Sequence, residues 1–258
     1  MRYVHLIGDS HSSCIWQAYK LAGKAGNNSG CTVTMHSLGG GAVAHDLMMV
    51  DVRGKRVLNP LLRSGLIAAN AQLQKTENCV TAISAGGYIT SVSTWDSQVS
   101  NFTFASEQVT HAIQTATVIP IDLVRDSLWE HFDVLVEALA RASDVCKAPL
   151  IYLCSPPPYE SNEEIVRRMS VQRSVAVDKV PQPLASETRL QVWTLARDIL
   201  RERLSRLPII FMDAPETTTT NDGYLESNFL GDGFHANVEY GKLLLKNIVS
   251  QPVRRMTT

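Results

Sequence analysis

The sequence predicts an α/β protein built on one parallel sheet of about five strands with helices on both faces. Three observations carry this. Short apolar, β-rich runs alternate with longer segments of helical spacing from end to end. At 258 residues the chain is long enough for one large α/β domain and short for two well-cored ones. The glycine- and serine-rich punctuation follows the strands: Gly8-Asp9-Ser10, Gly39-Gly40-Gly41, Ser84 to Gly87, Ser155-Pro156 and the segment after Asp213. It therefore gathers on the carboxyl edge, where open α/β sheets hold their ligands.

The elements follow in order. Residues 3–7 are a short apolar run stopped by Gly8, a buried strand. Residues 12–23 carry Cys14, Ile15, Ala18, Leu21 and Ala22 at helical spacing, closed by Gly23. Residues 31–35 alternate and are rich in β-formers, giving the second strand. Residues 47–52 and 56–58 flank Arg53-Gly54-Lys55 as a small inserted hairpin. A helix over 61–73 leads to a third strand at 79–83. Residues 88–104 are rich in Ser and Thr without a period and form a long loop at a strand end, a frequent functional position.

One amphipathic helix is expected over 121–142, then a fourth strand at 149–154 followed by Ser155 and three prolines. Residues 159–186 are polar, Pro-flanked and irregular, an excursion over the surface or a lid. A long helix at 187–207, a fifth strand at 208–213 and a final helix at 237–249 complete the chain. There is no internal repeat and no linker. The chain thus reads as one domain, 1–258, with surface insertions near 47–58, 88–105 and 159–186.

The totals exclude several classes. With 45% hydrophobic and 19% charged residues the chain is globular. A net charge of −1 gives no bulk attraction to nucleic acid or to an anionic membrane. No segment reaches the ~18 apolar residues of a membrane span, and the N-terminus lacks a signal-peptide pattern, so a cytoplasmic location is expected. Cys14, Cys31, Cys79, Cys146 and Cys154 are odd in number and widely spaced, which suits buried reduced thiols. His36, His45, His111 and His131 are scattered, so neither a metal nor another cofactor is implied. Nothing in the sequence sets an oligomeric state.

The chemistry centres on Ser10. A serine hydroxyl needs a base, a group that orients the base, and backbone N–H groups facing a developing oxyanion. Ser10 follows a buried strand and opens a helix. His235 opens the last helix behind Asp232, and one tight turn eased by Gly233 brings that carboxylate to the imidazole. Gly39, Gly40 and Gly41 can offer bare backbone N–H groups. His11 can touch a substrate or serve as a first-turn helix residue, and the latter is preferred. Trp95 and Trp193 suit a core better than a pocket wall.

The residues Leu6-Ile7-Gly8-Asp9-Ser10, with Asp232-Gly233-Phe234-His235-Ala236-Asn237 and Tyr240-Gly241, resemble the GDSL-type, or SGNH, serine hydrolases. The resemblance implies a three-layer α/β/α sandwich with a flavodoxin-like sheet. It implies Ser10 as nucleophile, His235 as base and Asp232 as orienting carboxylate. It also implies an oxyanion hole from the Ser10 N–H and a glycine, with Gly40 the favoured one. Where the family has Gly-x-Asn-Asp, this chain has Ser84-Ala85-Gly86-Gly87-Tyr88. The third donor would then be the N–H of Gly86 or Gly87, or the Tyr88 hydroxyl. The activity implied is hydrolysis of a small-molecule or glycan ester of a short acyl or O-acetyl group. Acyl transfer, or a catalytically weak glycan-binding or scaffold role, are the alternatives.

Overall fold

The computed structural model describes residues 1–25, 30–38, 47–85, 102–105, 117–233 and 235–252. Strand β1 (Arg2–Gly8) passes through a 3-10 turn (Ser10–Ser12) into α1 (Ser13–Lys24). After β2 (Cys31–Ser37), β3 (Met48–Val50) and β4 (Arg56–Leu58) pair antiparallel as the expected hairpin. Helix α2 (Pro60–Lys75) starts where Asn59 Oδ1 accepts the Leu61 N–H at 2.8 Å, with proline in the first turn. Strand β5 (Cys79–Ser84) follows. Further on come β6 (Phe102–Ala105), β7 (Thr117–Pro120), α3 (Ile121–His131) and α4 (Asp133–Val145). The last elements are β8 (Leu150–Leu153), α5 (Asn162–Arg173), α6 (Ser186–Leu204), β9 (Ile209–Met212) and α7 (Val238–Ser250).

Five strands form the main sheet in the order β2-β1-β5-β8-β9, all parallel. Counted within that sheet this is the flavodoxin-like order 2-1-3-4-5, whose chain reversal lies beside β1. The pleat sends alternate residues to opposite faces. Val4 and Leu6 join Val80, Ile151, Leu153 and residues of α1 and α7 in one core. Ile7, Ile83, Leu150 and Tyr152 join residues of α2, α4 and α6 in the other. The sheet is thus the middle of three layers, and β5 and β8 are buried throughout.

Three expectations need correction. The helix predicted over 121–142 is interrupted at Phe132, which sits 1% exposed in the core. Its backbone hydrogen bonds continue, to Leu128 O (3.0 Å) and from Val136 N (2.9 Å), so the interruption redirects one helix rather than ending it. The loop predicted through residue 104 ends instead in β6, which pairs in parallel with β7. Phe102-Thr103-Phe104-Ala105 is a short strand at the end of a Ser- and Thr-rich stretch, and its partner begins at Thr117. Finally, residues 159–186 are not irregular, because they contain α5, capped by Ser161, and a 3-10 turn (Val177–Lys179). Only Ile165, Val166 and Met169 of α5 are buried, so the apolar signal is thin.

On the α2 side, His5 of β1 and His36 of β2 meet with Nδ1 and Nε2 3.1 Å apart. Two neutral rings can share one hydrogen there, and two protonated rings cannot. Burial, and secondarily His36, holds His5 down to about 4, and burial lowers His36. In an unfolded chain histidine titrates near ~6.5. Between those values the unfolded chain binds protons that the folded chain refuses, so stability is full above that upper value and falls with acid. Denaturant midpoints measured across this window should fall as pH falls, and His5→Gln should flatten the slope.

Candidate active site

Ser10 is placed by what surrounds it. A Cβ on Gly8 would stand 2.6 Å from Ser84 O and 2.8 Å from Ser12 Cβ, so only glycine lets β1 end so close to β5. Asp9 is buried, and its Oδ1 accepts the His11 N–H at 3.0 Å. Its carbonyl accepts the Ser12 N–H at 3.1 Å and the Ser12 hydroxyl at 2.6 Å. Asp9 is therefore a cap, and Ser12 a buried turn residue. Ser10 is left half-buried at the carboxyl end of β1.

The segment before α7 supplies the partners. Gly233 has φ +108°, a left-handed conformation that side chains disfavour, and it closes the turn between Asp232 and His235. Asp232 Oδ1 accepts the His235 backbone N–H at 2.9 Å. Asp232 Oδ2 lies 2.7 Å from His235 Nδ1. A carboxylate only accepts, so Nδ1 carries the hydrogen and Nε2 is left as an acceptor. That Nε2 lies 2.9 Å from Ser10 Oγ. The turn is tied back through the Gly231 N–H to His235 O at 2.8 Å. Asn237 then caps α7 by accepting the Glu239 N–H at 2.9 Å.

His11 takes its expected first-turn position, and its ring packs on His235 with centroids 4.6 Å apart and a tilt of 51°. Burial, and then the neighbouring His235, holds His11 down to about 3, so it stays neutral beside that ring. Gly40, Gly86, Gly87 and Tyr88 lie outside the described residues, as do Trp95, His45 and His111. Trp193 is a core residue at 5% exposure whose indole N–H donates to Ser155 O at 3.2 Å. Burial pushes the Cys14 and Cys154 thiols up to about 12, which removes both as nucleophiles near neutral pH.

Sequence reasoning missed the residues of α5 that reach this site. Gln172 Nε2 donates to Asp232 Oδ2 at 3.0 Å, and Arg168 Nη1 donates to Leu230 O at 3.0 Å. A signal for the helix was present. Ser161 followed by Glu164 is a capping-box spacing, and Ser161 Oγ does accept the Glu164 N–H at 3.2 Å.

No known family model matches the sequence, and no curated protein matches it. Solved structures with a similar fold include an extracellular lipase from Streptomyces rimosus, 14% identical over 97% of this chain and 100% of that one, with a TM-score of 0.49. A carbohydrate acetylesterase from Sinorhizobium meliloti is 11% identical over 96% and 97%, with a TM-score of 0.45. A GDSL-like lipase from Bacteroides thetaiotaomicron is 13% identical over 96% and 87%, with a TM-score of 0.42. Likeness at this level does not transfer an activity, so the chemistry has to come from the side chains.

Gly233 lies against α5, and a Cβ there would stand 3.3 Å from Ile165 O as well as in a strained backbone. Gly233→Ala should destabilise the fold by about 1–3 kcal/mol, read as a lowered thermal midpoint.

Proposed function

We propose that this chain is a GDSL-type serine esterase, with Ser10 as nucleophile, His235 as general base and Asp232 as the group that orients it. The observation that carries the reading is the unbroken line from Asp232 Oδ2 to His235 Nδ1 at 2.7 Å and from His235 Nε2 to Ser10 Oγ at 2.9 Å. Ser10 Oγ attacks the ester carbonyl while Nε2 takes its proton. Asp232 stabilises the imidazolium that forms. Nε2 then returns the proton to the departing alcohol, leaving an acyl group on Ser10. Water, activated by the same nitrogen, releases the acid.

The oxyanion needs N–H donors, and the Ser10 N–H is the first we assign. The described residues next to the glycine segments lie beside it. Leu38 N donates to Gly8 O at 2.8 Å, and Asp9 N donates to Ser84 O at 3.1 Å, so the chain continues from both neighbouring strands beside Ser10. Gly40 on one side, and Gly86 or Gly87 on the other, are the further donors in this reading. This reading assigns Tyr88 and His11 to substrate contact. The substrate class in this reading is a small carboxylic ester bearing a short acyl or O-acetyl group, a small-molecule or a glycan ester. Among the described residues none points specifically to transfer onto a second alcohol, and an added glycan acceptor should leave free acid as the product.

Fluorophosphonate should label wild-type protein at Ser10 and leave Ser10→Ala unlabelled. Turnover of p-nitrophenyl acetate should fall by about 10³–10⁴ in His235→Ala and in Asp232→Asn, with both variants folded. Equal labelling of wild type and Ser10→Ala would refute the nucleophile.

A further inference from the structure

The loop bearing Asp232 and His235 rests on α5, and α5 is itself anchored. Arg189 of α6, 1% exposed, donates to Leu184 O and Asn162 Oδ1. Its other terminal nitrogen donates to Tyr159 O at 2.6 Å and to Glu160 O at 3.0 Å. That pins the start of α5. Ile165 and Met169, both fully buried, hold its inner face.

Two contacts then run from α5 to the loop. Arg168 Nη1 donates to Leu230 O at 3.0 Å and to Gly231 O at 2.5 Å, while its Nε donates to Glu164 Oε1 at 2.6 Å. Arg167, and then Arg168, holds the Glu164 carboxyl down to about 2, so the anchor of Arg168 stays charged. One turn further, Gln172 Nε2 donates at 3.0 Å to Asp232 Oδ2, the oxygen that also faces His235 Nδ1.

We propose that α5 is a positioning element for the acid–base pair, and that Gln172 sets how strongly Asp232 draws a proton onto His235. The inference rests on the esterase reading above. Each hydrogen bond donated to Oδ2 withdraws negative charge from its contact with the imidazole. A neutral donor at 172 weakens the hold on the imidazolium, a cation weakens it more, no donor strengthens it, and an anion strengthens it most. Titratable or charged groups around the pair include His11 across the ring face and, on α5, Glu164 with Arg167 and Arg168 bound to it. His11 is kept neutral by burial, and the α5 cluster of two guanidiniums on one carboxylate is the same in every variant of Gln172.

Gln172 is exposed, so its variants leave the core intact. The test follows fluorophosphonate labelling of Ser10, and kcat/KM on p-nitrophenyl acetate, as functions of pH for wild type, Gln172→Glu, Gln172→Ala and Gln172→Lys. The midpoint of the acid limb should be highest in Gln172→Glu, then Gln172→Ala, then wild type, and lowest in Gln172→Lys. Steps of about half a pH unit are expected, a factor of about three in rate on that limb. KM should change little. Loss of kcat in all variants with an unmoved midpoint would mean structural support alone and would overturn the inference. Absence of Ser10 labelling in wild type would instead overturn the esterase reading.

Discussion

The site depends on one carboxylate that does two things at once. Asp232 uses Oδ1 to close a four-residue turn through the His235 N–H, and Oδ2 to hold the ring of that same residue. Backbone and side chain are thereby set by a single group. The ring cannot be aimed without the turn being closed, and the turn needs the left-handed Gly233. Everything else in the site either presents Ser10 to Nε2 or keeps this turn where it is.

The fold supplies both. The serine comes from the end of the first strand and the histidine from a loop 225 positions later. They meet because α1 and α7, which follow the two segments directly, share one face of the sheet and one core. The parallel sheet puts every strand end on the same edge, and the reversal of chain direction beside β1 opens room there. The His11 ring packs on the His235 ring and is held neutral, so it brings no charge against it.

Much of this was legible in the sequence, for identifiable reasons. The inner strands β5 and β8 are buried on both faces and mostly apolar, a pattern that survives without knowledge of partners. Ser10, Asp232 and His235 stood out because their spacing to strand and helix starts carries chemical meaning. Helix α5 was not legible as a helix because only three of its residues are buried, and its remaining residues resemble a polar loop. Its capping box was the available signal. The contacts of Arg168 and Gln172 with the loop could not be seen, since they join residues about 60 positions apart through geometry alone. The pairing of His5 with His36 was missed for the same reason, because register between β1 and β2 brings them together.

The central claim is that Ser10, His235 and Asp232 act as one unit. The most direct measurement is a crystal structure of the protein after reaction with a p-nitrophenyl phosphonate ester. The account predicts phosphorus bonded to Ser10 Oγ, a phosphoryl oxygen on the Ser10 N–H, and His235 Nδ1 still held by Asp232 Oδ2. An adduct on another residue, or a His235 ring turned away from Asp232 with phosphorus on Ser10, would contradict it.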